Sequence, residues 1–171
     1  MESKEPLPAF VFPHQPISST SNPMVVFLCD DSDLAWDCAI SVEKICSSRN
    51  FPVVATCLKE YGDDENFSTH LKSMVENDNL IGAVIVFDRS KRESYLRIPF
   101  WHNTLLEVCP PARIAILAIE PPSHQHLYDV DAEDLLALSK ETYHRYVLTQ
   151  VESSQDEKIF DAVFSMVSYL I

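Results

Sequence analysis

The densest chemistry in this chain lies in one short turn. Cys29-Asp30-Asp31-Ser32-Asp33 follows the apolar run Met24–Leu28 and precedes a stretch with helical spacing. In an alternating α/β chain, the first strand-to-helix turn is where a phosphate would rest, because the leading N–H groups and the helix dipole attract an anion. A cradle of that kind needs bare N–H groups, close backbone approach and positive charge. This turn has no glycine and no lysine, and it carries three carboxylates.

Other reactive residue types are more scattered. Lys59 ends the second apolar run, where it either pairs with Asp30 or Asp31 across an empty site or simply ends a strand in solvent. His124 and His126 share a proline-rich loop with no cysteine or third histidine nearby, so a solvated loop is the simpler reading than a metal site. Asp63-Asp64-Glu65 reads as a solvated acidic loop. No Gly-x-Ser-x-Gly elbow and no His-Glu-x-x-His pair occurs, and no serine or cysteine has an obvious base. The expectation is a chain with no catalytic residues, no metal and no cofactor.

The totals narrow the class. With 171 residues and 46% apolar content, the chain can bury the core of one domain. Its 26 acidic and 13 basic residues give a formal charge of −13, which argues against a nucleic-acid or anionic-membrane surface. Five cysteines (Cys29, Cys38, Cys46, Cys57, Cys109) form no Cys-x-x-Cys pair and read as small buried hydrophobes in a reducing compartment. No signal peptide, membrane-spanning run or terminal prenylation cysteine is present. The expectation is an intracellular protein, cytoplasmic or nuclear, without a membrane anchor.

These residues must be positioned by the elements around them. Residues 1–22, with Pro6, Pro8, Pro13, Pro16 and a Ser/Thr run, read as a flexible arm. Its apolar island, Phe10-Val11-Phe12, is either an incidental tail segment or a short docking motif. Residues 23–171 form the domain. Strands are expected at Met24–Leu28, Val53–Leu58, Ala83–Phe87, Arg113–Ile119 and Tyr146–Thr149. Helices are expected at about Leu34–Cys46, capped by Ser32 or Asp33, and at Phe67–Val75, Ser94–Val108, Asp131–His144 and Asp156–Ile171. Pro99 should start or break the third of these. Apolar strands alternating with helices imply a doubly wound, mostly parallel five-stranded sheet covered on both faces.

The second half of the chain then resembles a Ras-like small GTPase, Rab-type most of all. Gly82 to Tyr95, followed by Trp101, looks like the family's fourth strand and the helix after it. Arg113 to Glu120 occupies the fifth strand, Asp131 to Leu148 the next helix and sixth strand, and Phe160 to Ile171 the final helix. The resemblance covers about residues 24–171, and it implies a small-GTPase-like fold. The family's functional motifs do not follow. Its Gly-rich loop would fall at Cys29–Trp36, with Ala35 near the phosphate lysine and Trp36 near the magnesium hydroxyl. Too few residues separate the first helix from Val53 for switch I and a second strand. The Asp-x-x-Gly motif would fall at Lys59 to Gly62, where Gly62 survives but Lys59 cannot bind magnesium. The guanine-reading motif would fall at Ile119 to Pro122, and the Ser-Ala-Lys loop at Thr149 to Val151; neither is matched.

The resemblance therefore implies a degenerate member, a pseudo-GTPase without a functional P-loop. Its degenerate nucleotide site comprises Cys29, Asp30, Asp31, Ser32, Asp33, Ala35, Trp36, Lys59 and Gly62. Trp36 and the carboxylates either fill the empty crevice, with the carboxylates capping its N–H groups, or Trp36 is surface or core. The expected role is a protein-interaction or scaffold subunit of an intracellular complex with other protein subunits, of the kinetochore/centromere or trafficking-adaptor kind. The segment Tyr95–Val108 carries more apolar bulk than one buried stripe needs. A remaining exposed patch of Leu96, Phe100 or Trp101 would mark an interface, and Phe10 and Phe12 are further candidates; alternatively, Pro99 distorts the segment and buries both sides. Two other functions stand beside this one. Asp30-Asp31 with Asp88 would resemble the acidic pocket of a receiver-like phospho-acceptor, although Ala118 and Gln150 replace the hydroxyl and lysine wanted there. The other is a nucleotide-binding protein with an altered site.

Overall fold

Strand formation here follows from runs of β-branched and large apolar residues long enough to bury both faces. The computed structural model describes residues 22–57, 64–109, 113–120, 130, 132–141, 147–153 and 156–167. In chain order they form β1 (Met24–Leu28), α1 (Ser32–Ser48), β2 (Val54–Cys57), α2 (Asp64–Asn77), β3 (Leu80–Asp88), α3 (Arg92–Leu96), α4 (Ile98–Val108), β4 (Arg113–Ile119), α5 (Ala132–Glu141), β5 (Val147–Val151) and α6 (Lys158–Val167). The strands pair in parallel in the order β2-β1-β3-β4-β5. The molecule is thus an α/β protein with a parallel sheet between helices, compatible with a doubly wound fold.

Alternate residues of each central strand enter different cores. Val25 and Phe27 of β1, Val84 and Val86 of β3, and Ala115 and Leu117 of β4 pack under α1 and α6. Val26 and Leu28, Ala83 and Ile85, and Ile114 and Ile116 pack under α2, α4 and α5. Burial on both faces explains why these strands read as continuous apolar runs and not as an alternation. Gly82 sits where β3 meets β4: a Cβ there would lie 2.9 Å from the Arg113 carbonyl oxygen, so only glycine lets the strands close.

Several boundaries differ from the sequence reading for identifiable reasons. α1 begins at Ser32, because Asp31, and neither Ser32 nor Asp33, caps it. It ends later than expected, in a motif with Asn50 at φ 55°. The Asn50 and Phe51 N–H groups reach back to Ser47 and Cys46, satisfying the last carbonyls. The helix expected over Ser94–Val108 is two helices, with Pro99 in the first turn of α4, where its missing N–H costs nothing. α6 starts at Lys158 after Asp156, whose carboxylate accepts the Lys158 N–H at 2.9 Å. Residues 49–53, between α1 and β2, hold no strand. All five cysteines are buried reduced thiols.

Candidate functional site

β1 is the first strand in the chain, yet β2 and β3 lie on its opposite sides. In an open α/β sheet such a reversal marks the place where ligands usually sit, in a crevice beyond the carboxyl ends of the two strands, here β1 and β3. The turn after β1 and the turn after β3 form its two lips.

The first lip is turned in on itself. Asp31 Oδ1 accepts the N–H groups of Asp33 (3.1 Å) and Leu34 (3.2 Å), the donors a phosphate would otherwise take. The Cys29 thiol donates to Asp30 Oδ1 at 3.5 Å and its sulfur accepts the Asp31 N–H at 3.4 Å. Burial pushes the Cys29 thiol well above the ordinary range, helped by the charges of Asp30 and Asp31 and opposed by the Asp31 N–H. Burial of this kind disfavours the reactive thiolate.

The second lip is tied to the first. The buried hydroxyl of Ser94, on α3, donates to Asp30 Oδ1 at 2.9 Å and accepts the Asp88 N–H at 3.1 Å. Asp88 Oδ1 in turn accepts both the N–H (2.8 Å) and the hydroxyl (2.6 Å) of Ser90, an Asx turn that ends β3. Beyond it, Arg89 is 5% exposed. Its Nε donates to the Val130 carbonyl at 3.1 Å and its guanidinium to Glu120 Oε2 at 3.2 Å. Arg92 is joined to Asp134 on α5 by two bonds, at 2.9 and 3.2 Å. Both arginines therefore direct donors to carboxylates or carbonyls of the fold. A triphosphate in the crevice would meet Asp30 and Asp31, each repelling a unit charge by about 1 kcal/mol in water at ~4 Å and by more when partly buried.

The predicted site residues are only partly brought together. Cys29, Asp30, Asp31 and Asp33 share the first lip; Ala35 is buried one turn into α1. Trp36 is 40% exposed, on the surface of α1. The Ser32 side chain, Lys59, Gly62, Phe10 and Phe12 lie outside the described residues, as do His124 and His126. Of the proposed apolar patch, Leu96 is 62% exposed and Phe100 is half-buried beneath the Arg97 guanidinium, 4.2 Å from its ring centre. Trp101 is 1% exposed and packs edge-on to Phe67 and Phe100, so its surface role is corrected. The distortion at Pro99 turns this indole into the core.

Sequence reasoning missed Ser94 and Arg89. The only signal for either was position, since both follow the Asp88 that ends a strongly apolar strand. Among the described residues, no three His, Cys, Asp or Glu side chains converge on a metal position, and no helix is long and apolar enough to cross a membrane. No protein-family model matches the chain, and no curated protein matches it.

Proposed function

We propose that this chain is a pseudo-GTPase: a small-GTPase-like domain, without the family's second strand, that acts as a non-catalytic interaction or scaffold subunit of an intracellular complex. The reading rests above all on the bond from Ser94 to Asp30, which draws the two lips of the crevice together with the protein's own groups. It is supported by the strand order β2-β1-β3-β4-β5, the order left when the second strand of a small-GTPase sheet is removed. It is supported too by a first turn that presents carboxylates where a phosphate needs cations, and by five reduced thiols, which suit a cytoplasmic or nuclear setting. Other protein subunits are the expected partners, in a kinetochore/centromere or trafficking-adaptor assembly; nucleotide, nucleic acid and membrane are not.

The test is thermal unfolding of the purified chain with and without millimolar GTP, GDP or ATP and magnesium. A ligand at 100 times its dissociation constant stabilises by about 2.7 kcal/mol. For a chain of this size that is a rise of roughly 5–10 °C. No shift is expected with any nucleotide. A clear shift with one would favour an altered nucleotide site and sink the pseudo-GTPase reading.

One observation favours a second reading. The same strand order is that of receiver-like domains, and Asp30 and Asp88 flank one crevice. Against it, Asp88 Oδ1 is already bonded to Ser90, and fully buried Ala118 occupies the place wanted for a hydroxyl. Magnesium-dependent phosphorylation of Asp88 by a small phosphodonor would establish this reading in place of the first.

A further inference from the structure

β2 is the outermost strand on its side of the sheet, and among the described residues no strand lies beyond it. The Val54 N–H points inward, to the Pro23 carbonyl at 2.9 Å. Strand alternation therefore turns the Ala55 N–H and carbonyl outward, along the edge. An outward donor on an edge strand is a template for another strand. Here that donor is taken by a side chain: Glu43 Oε1, reaching from α1, accepts the Ala55 N–H at 2.6 Å. The acceptor sits where the carbonyl of a next strand would be.

We propose that the outer edge of β2 is a latent strand-pairing surface, that a second copy of this chain is its occupant, and that Glu43 is the guard that keeps it closed. The choice of a second copy follows from self-complementarity. An antiparallel copy placed on a two-fold axis through Ala55 would exchange a reciprocal pair of N–H···O=C bonds between the two Ala55 residues. Val54 and Thr56, both half-buried and β-branched, would flank that pair and suit cross-strand contact. Glu43 forbids the arrangement twice over, by occupying the donor and by placing a carboxylate in the path of the incoming carbonyl.

The test is the mass of the full chain in solution, measured by light scattering across a hundredfold range of concentration. Wild type should stay monomeric throughout. Glu43→Ala and Glu43→Met both remove the acceptor and both suit a helix, so α1 is kept. Each should rise toward twice the monomer mass as concentration increases. Glu43→Gln keeps an oxygen acceptor and should remain monomeric. Adding Ala55→Pro to Glu43→Met removes the outward donor without touching the ladder to β1, and should restore the monomer. The proposal is overturned if both acceptor-less variants, folded by circular dichroism, stay monomeric, or if Ala55→Pro leaves the dimer intact. A concentration-independent change would also overturn it, since it would mean that the chain's own segment covers the edge.

Discussion

Ser94 Oγ lies 2.9 Å from Asp30 Oδ1 although 64 positions separate the two residues. One hydroxyl thereby joins the end of β1 to the start of α3, donating to the first and accepting from the Asp88 N–H of β3. The group that bridges the two turns is itself buried.

Removing that hydroxyl should therefore cost stability without creating a nucleotide site. Ser94→Ala leaves the part-buried Asp88 N–H and the Asp30 carboxylate without their shared partner, a loss of about 1–3 kcal/mol. Urea unfolding should show a lower midpoint at an unchanged slope. Asp30→Asn keeps an oxygen for the hydroxyl and should cost less. In both variants GTP with magnesium should still leave the melting temperature unmoved, because the carboxylate of Asp31 continues to hold the first donors of α1.

The two large apolar residues on either side of Pro99 should behave oppositely. Trp101 fills the core between Phe67 and Phe100, so Trp101→Ala should cost about 3–5 kcal/mol. Leu96 projects from α3 at 62% exposure, and Leu96→Ala should stay within about 0.5 kcal/mol of wild type. Equal losses in the two variants would contradict the turn described at Pro99. Capture of a partner from cells should accordingly be sought with Leu96 variants, because Trp101 variants would weaken binding through unfolding.

The buried thiols give the stability a definite alkaline slope. Burial pushes Cys38 up to about 12, with Asp37 adding to it, and Cys46 up to about 11, with Glu43 adding and Arg49 opposing. Cys29 is raised further. In the unfolded chain these thiols ionise near their ordinary value of about 8.5. Between that value and about 11, the folded state binds more protons than the unfolded one, so stability is full below pH 8.5 and falls as pH rises. Denaturant midpoints measured from pH 7 to 10.5 should decline, and Cys38→Ala should decline less steeply. The same thiols should resist a thiol reagent at pH 8 until the protein is unfolded.

How far the sequence was legible depended on the kind of signal. Arg113–Ile119 was readable to the residue, because an apolar run between polar neighbours leaves little choice of register. That residues 49–53, between α1 and β2, hold no strand was readable from length alone. α1 was read two residues short at its start because Ser32, Asp31 and Asp33 are all competent caps, and only the backbone bend at Asp31 selects one. Ser94 was not readable at all. A serine in a short helix has many local partners, and its pairing with Asp30 exists only because the sheet sets β3 beside β1. Glu43 was hidden in the same way: on α1 it looks like a solvated helix face, until β2 brings Ala55 to it. Helical spacing grouped Trp101 with its neighbours, but the change of direction at Pro99 decided which of them went inside.

The strand order also dictates how the sheet is assembled during synthesis. β1 and β2 emerge first, and β3 must add on the far side of β1. From then on growth has one direction only, with β4 joining β3 and β5 joining β4. While the chain is still leaving the ribosome, the incomplete sheet always presents the most recently added apolar strand as its open margin. A pause in translation after β3 would leave Leu80–Phe87, apolar throughout, waiting for Arg113–Ile119, and that interval is when a nascent-chain chaperone would matter most to this protein.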